Sequence, residues 1–113
     1  MKREQRLRTP AEFRHARDLA GRGWPSPLLV VYVAPNELGQ TRIGITVSRR
    51  VGKAVVRNRV RRRLREALGA RLSRLPQGTD IVVTARPASA TASWAELCRA
   101  LDSVLTRAGT VRP

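Results

Sequence analysis

A single cysteine, Cys98, leaves this 113-residue chain unable to form an internal disulfide or a cysteine-rich zinc site. Its one cysteine fits a reducing compartment, and the expected location is cytoplasmic. Nowhere do 18 apolar residues run together, so no membrane-spanning helix is expected. The basic start (Lys2, Arg3, Arg6) is followed by no apolar segment of the kind a signal peptide needs. Glu4, Glu12 and Asp18 argue against a transit peptide. Aromatic residues make up only 4%, so the core must be built from Val, Leu, Ile and Ala. Acids are scarce as well: eight Asp and Glu stand against 23 Lys and Arg, a formal net charge of +15. The eight are scattered, with no carboxylate cluster for metal-assisted phosphodiester hydrolysis, so the expectation is no catalytic residue and no metal ligand on the chain.

A charge excess of this size destabilises a compact state by self-repulsion, and a polyanionic partner is the simplest compensation. Only Lys2 and Lys53 are lysine; the other 21 cations are arginine. Arginine presents a planar fork of donors to phosphate and stacks on bases. The hydrophobic share of 42% suffices for one core, and residues 1–113 are read as one domain.

The pattern along the chain is helix, strand, strand, helix, strand, helix. Thr9-Pro10-Ala11-Glu12 reads as a capping box, with Phe13, Ala16, Leu19 and Ala20 recurring at helical spacing until Gly21. Trp24 to Pro27 is a loop or a poor edge strand. Leu28 to Ala34 is a dense β-branched strand, and Pro35, Asn36 and Gly39 make a turn. Arg42 to Ser48 alternates, with Ile43, Ile45 and Val47 on one face, and the two strands are expected to pair antiparallel. A second helix spans about Ala54 to Leu72, with an apolar stripe of Val56, Val60, Leu64, Ala67, Leu68 and Leu72. Thr79 to Ala85 is a third strand. Ser93-Trp94-Ala95-Glu96 caps a last helix whose apolar face carries Trp94, Leu97, Cys98, Leu101, Val104 and Leu105, with Gly109 beyond its end. The sum is an α/β sandwich, a small sheet with helices packed on it.

Between Glu37 and Glu66 there is no acid, yet ten basic residues fall there: Arg42, Arg49, Arg50, Lys53, Arg57, Arg59, Arg61, Arg62, Arg63 and Arg65. Arginines this dense on one helix repel at i,i+3 and i,i+4, whereas a merely solvated face would intersperse glutamates. Neutralisation by RNA phosphates would relieve the repulsion and release counterions. With the apolar stripe turned inward, Asn58, Arg62 and Arg65 should point away from the core, flanked by Arg57 and Arg61. The strand-to-helix junction carrying Arg49, Arg50 and Lys53 presents backbone N–H groups to anions. Gly52 belongs to no nucleotide-binding loop sequence, so a nucleotide-hydrolysing site is rejected. His15 stands alone in the basic first helix and reads as a surface or RNA-facing residue, and Ser48 has no His/Asp partner in sight.

The segment from Arg42 to Glu66, with its Arg57-Asn58-Arg59 centre, closely resembles the signature of the protein subunit of bacterial ribonuclease P. Glu12-Phe13, an apolar strand ending in Tyr32, and Asp80 to Val83 follow the same order as in that family. The resemblance implies a mixed sheet with packed helices like the second domain of ribosomal protein S5, including a left-handed β-α-β crossover, an exception to the usual handedness. It implies binding of ribonuclease P RNA, the catalytic subunit, through Arg49, Arg50, Lys53, Arg57, Asn58, Arg59, Arg61, Arg62 and Arg65. It further implies a cleft between the first helix and the sheet, formed by Phe13, Arg17, Val30, Tyr32 and Thr46, that receives the 5′ leader of precursor tRNA. Ordinary core packing is the competing role for Phe13 and Tyr32. The RNA would carry catalysis with Mg²⁺ bound mainly by RNA, and neither a membrane nor a protein partner is required. Two departures stand out: Arg17 occupies a position where many members carry a second aromatic, and Lys53 replaces a usual asparagine. Competing classes are a structural ribosomal protein, a DNA-binding module that places the second helix in a major groove, and a free-standing nuclease. Short basic ends, the lack of a helix-turn-helix pairing and the lack of catalytic groups weigh against these in turn.

Overall fold

The computed structural model describes residues 2–109. Both capping boxes close: Thr9 Oγ1 accepts from the Glu12 N–H at 3.1 Å while Glu12 Oε1 accepts from the Thr9 N–H at 2.9 Å. Ser93 and Glu96 make the same reciprocal pair at 3.1 and 2.9 Å. Each satisfies donors that a helix start leaves open, an effect of about 1 kcal/mol. They begin α1 (Pro10–Ala20) and α3 (Trp94–Arg107), and Gly21, at φ 65°, ends α1 by donating its N–H to the Arg17 carbonyl. The long helix α2 (Ala54–Arg71) follows a short 3-10 turn, Arg49–Val51.

The strands are β1 (Trp24–Pro25), β2 (Leu29–Pro35), β3 (Arg42–Val47) and β4 (Thr79–Ala85), in the spatial order β1-β2-β4-β3. The expected pairing of β2 with β3 is therefore corrected. β4 lies between them, antiparallel to β2 and parallel to β3. The reason is burial: Ile81, Val82 and Val83 are all fully buried, so β4 is apolar on both faces and belongs in the interior of the sheet. The turn after Asn36 reverses the chain, but β3 lands one strand further over, and α2 becomes the crossover between the parallel neighbours β3 and β4. Pro35 ends β2 rather than opening the turn; it faces Thr79 at the last rung, where a missing N–H costs little. Ser48 falls just past β3, at the start of the 3-10 turn.

One face of the sheet carries the main core. Leu29, Val31, Ile43, Ile81 and Val83 pack against Val60, Leu64, Ala67 and Leu68 of α2 and Leu97, Leu101, Val104 and Leu105 of α3. Each fully buried Leu or Val contributes roughly 1.5–3 kcal/mol, so most of the stability resides here. The opposite face holds a smaller cluster of Leu7, Ala16 and Val82, with Phe13 and Tyr32 half-buried against it. Two sequence expectations shift. Leu19 is 53% exposed, so α1 packs through Phe13 and Ala16, and Trp94, at the first position of α3, is 44% exposed rather than part of the core.

α1 is fastened to the sheet by charge. Arg42 on β3 makes a bidentate pair with Asp80 on β4, both bonds at 2.9 Å, and reaches Glu12 of α1 at 2.8 Å. Asn36 donates to the same Asp80 at 2.8 Å. The backbone N–H groups of Arg8 and Thr9, with Arg42 beside them, hold the Glu12 carboxyl below the usual carboxylate range. Asp80 is 1% exposed, so removing its carboxylate leaves the partly buried guanidinium with Glu12 alone and opens a buried site. Asp80→Ala is expected to lower unfolding free energy by roughly 3 kcal/mol in urea denaturation; a loss under about 0.5 kcal/mol, the range of a surface change, would show that the pair holds nothing together.

Candidate nucleic-acid interface

α2 divides its arginines between two flanks. Asn58, Arg62 and Arg65 are exposed on the outer face, as the stripe reading requires, and Arg57 and Arg61 are half-buried beside them. Arg57 donates to the Gly52 carbonyl at 3.2 Å, and Arg61 donates to Asn58 Oδ1 at 3.0 Å. Arg49, Arg50 and Lys53 are exposed on the turn leading into the helix. Gly52 makes that entry at φ 154°, where a Cβ would sit 3.1 Å from the Val56 side chain. Lys53 at the N-cap supplies no side-chain cap, and the first turn has no acid. The positive end of the helix dipole therefore adds to the cations around it. Among the described residues, the side-chain ion pairs engage Arg42 and Arg71 and none of the outer-face arginines. Val55, 78% exposed, lies in the same first turn.

Arg59 and Arg63 are turned elsewhere. Arg59 donates to the Ala90 carbonyl at 3.0 Å and Arg63 to the Ala92 carbonyl at 3.2 Å. Both pin the segment that leads into α3. Sequence reasoning grouped Arg59 with the RNA-facing set because its acceptor is a backbone carbonyl, which leaves no mark on the sequence.

The second element is the trough under α1. Strand register places Val30, Thr84 and Thr46 in one row across the sheet, and Tyr32, Val82 and Gly44 in the next. The Phe13 ring lies against Gly44; a Cβ there would stand 2.7 Å from Phe13 Cζ and 2.9 Å from Leu7 Cδ1. Gly23 crosses over Val30 and Tyr32 with similar closeness. Phe13 and Tyr32 thus pack and remain partly accessible at once. A hollow of about 430 Å³ is lined by Arg8, Pro10, Phe13, Arg14, Arg17 and Thr46. A second, of about 480 Å³, shares Arg17 and Thr46 and continues to Ser48, Thr84 and Arg61. The structure so brings Phe13, Arg17 and Thr46 together, sets Val30 and Tyr32 further along the same face, and joins the trough to α2 through Arg61. Sequence reasoning missed Thr84. The alternation in β4 shows that it faces away from Val83, but only the register shows that it neighbours Thr46.

His15 is exposed and lines a separate hollow with Leu19, Leu38 and Arg42. Trp24 is 41% exposed at the sheet edge, and Cys98 is half-buried against the main core. Among the described residues no group of three or more His, Cys, Asp or Glu could hold a metal ion, and no helix is long and apolar enough to cross a membrane. Glu12 and Asp80 are both engaged by Arg42, so they do not suit a metal ion.

The two flanks of α2 should separate on substitution. Arg62→Ala is expected to leave stability within about 0.5 kcal/mol and to reduce the log–log salt slope of single-stranded RNA binding by about 0.7. Arg59→Ala is expected to cost about 1 kcal/mol in urea denaturation, the worth of one internal hydrogen bond. Equal stability losses for the two would contradict the division.

The family model of ribonuclease P matches residues 1–109. The ribonuclease P protein component of Roseiflexus castenholzii is 42% identical over 113 residues, covering 99% of this chain and 92% of the relative. That of Herpetosiphon aurantiacus is 40% identical over 108 residues, covering 96% and 87%. Among solved structures, the RNase P protein of Staphylococcus aureus superposes with a TM-score of 0.86 at 29% identity, covering 96% of this chain and 98% of that one. The Thermotoga maritima RNase P protein gives 0.79 at 29% identity, covering 90% and 96%.

Proposed function

The chain belongs to the ribonuclease P protein family, and from that premise we propose how its two surfaces share the work of tRNA 5′ maturation. The outer face of α2 and the turn before it bind ribonuclease P RNA. Arg49, Arg50, Lys53, Arg57, Asn58, Arg61, Arg62 and Arg65 supply the donors, and Arg59 contributes chiefly by fixing the segment beside them. The trough between α1 and the sheet takes the unpaired 5′ leader of precursor tRNA. Phe13 and Tyr32 offer ring surface to bases without demanding a sequence, and Arg17 and the hydroxyl row meet the backbone. The complex works in the cytoplasm.

The observation that carries this reading is the junction at Arg61. A basic helix face and a trough meet at one side chain, so the catalytic RNA can be held on the helix while the leader of the precursor tRNA passes beside it under α1. A ribosomal protein would need the first surface and not the second. Among the described residues no His, Cys, Asp or Glu lines the trough, which supports a part that is electrostatic and positional. The catalytic RNA performs the cleavage, and Mg²⁺, bound mainly by RNA, supports that step.

The test is precursor tRNA cleavage by the catalytic RNA at low Mg²⁺, with and without this chain. The chain alone should be inert, and its addition should restore accurate removal of the leader. Tyr32→Ala should weaken binding of leader-bearing substrate by roughly tenfold, the lower part of the range for one stacked base, and leave mature tRNA unaffected. A chain that binds the RNA without changing cleavage, or a Tyr32 variant that weakens both substrates equally, would contradict the assignment.

A further inference from the structure

Two arginines from different helices face one hollow. Arg17 on α1 and Arg61 on α2 both line the 480 Å³ trough over which Thr46 and Thr84 lie side by side. Neither guanidinium has an ion-pair partner among the described residues. Arg61 is oriented by its bond to Asn58 Oδ1, which occupies one of its five N–H donors. The Thr46 and Thr84 hydroxyls are 2.7 Å apart, one donating to the other. Two hydroxyls carry two hydrogens and the pair uses one, so one remains to be donated outward. Ser48, exposed at the end of the strand, brings a third hydroxyl, and no carboxylate lines the space.

Two uncompensated guanidiniums and a spare hydroxyl hydrogen suit an oxyanion, and Ile45 and Val47, which also line the hollow, leave apolar wall for the sugar beside it. The geometry points to a single phosphodiester of the leader seated between Arg17 and Arg61, over the Thr46–Thr84 pair. This rests on the leader reading and sharpens it. The adjoining hollow, with Phe13 and Pro10, receives the neighbouring sugar or base, while the Arg17 position grips backbone and is indifferent to sequence. Thr84 is a new member of the site, and Arg61 serves the leader as well as the helix face.

Precursor tRNAs carrying one uncharged methylphosphonate linkage, moved stepwise through the leader, test this with the holoenzyme. One position should lose roughly tenfold in affinity, the scale of a charge-assisted hydrogen bond. In the Arg17→Gln holoenzyme that same position should lose nothing further, while the other positions behave as in the parent. Thr84→Val, which keeps the shape and removes the hydroxyl, should give a smaller loss confined to leader-bearing substrate. If precursor is still preferred over mature tRNA but no linkage couples to Arg17, the phosphate site is overturned and the leader reading stands. Equal weakening of mature tRNA by Arg17→Gln likewise overturns the site. If the parent holoenzyme shows no preference for precursor at all, the leader reading itself fails and this site falls with it.

Discussion

Arg42 holds the two halves of the binding surface in register. Its guanidinium is bidentate on Asp80 in the central strand and reaches Glu12 in the first turn of α1. Apart from it, α1 rests on the sheet through the small cluster of Phe13, Ala16, Leu7, Val82 and Tyr32. A cluster of that size fixes a helix poorly against sliding, whereas a bidentate pair with a third partner fixes both position and direction. Hydrogen bonds from Arg8 and Thr9 keep Glu12 below the usual carboxylate range, so Glu12 holds its charge to a lower pH than a free glutamate would. The trough and the approach of Arg17 to Arg61 depend on α1 lying where Arg42 puts it.

Seen this way, the arginines form two populations that composition alone cannot separate. Arg42 and Arg71 are paired with acids, the latter tying α2 to Asp102 of α3 at 2.5 and 3.0 Å. Arg59 and Arg63 are spent on backbone carbonyls. The rest of the α2 set points outward or into the trough, with Arg57 and Arg61, Arg61 and Arg65, and Arg62 and Arg65 at repelling helical spacings. Each such pair costs a few tenths of a kcal/mol, roughly 0.2–0.5. On the reading proposed above, RNA phosphate neutralises this face, and the strong internal clamps are what let the fold carry the load.

Much of this was legible beforehand, and for local reasons. Both capping boxes, the inward stripe of α2 and the bounds of β4 follow from short-range chemistry, and each is where the sequence puts it. The strand order was not legible, because alternation says which face a residue takes and nothing about which strand lies next to it. That same missing fact hid Thr84, which joins the proposed site only because β4 brings it beside Thr46. Trp94 was misplaced because helical spacing cannot distinguish the first turn, which overhangs the core, from the turns that press on it. The partners of Arg59 and Arg63 are carbonyls some 30 residues away, invisible until the chain is folded.

The most direct measure of the account is the melting temperature of the chain as a function of salt, alone and with ribonuclease P RNA. Between about 20 mM and 500 mM salt the screening length falls from about 20 Å to about 4 Å. If the outward arginines are unrelieved repulsion awaiting a polyanion, the free chain should melt higher as salt rises. The RNA should then raise its melting temperature most at low salt, with the gain fading as salt increases. A free chain whose melting temperature is flat or falls over this range, or an RNA gain that does not depend on salt, would contradict it.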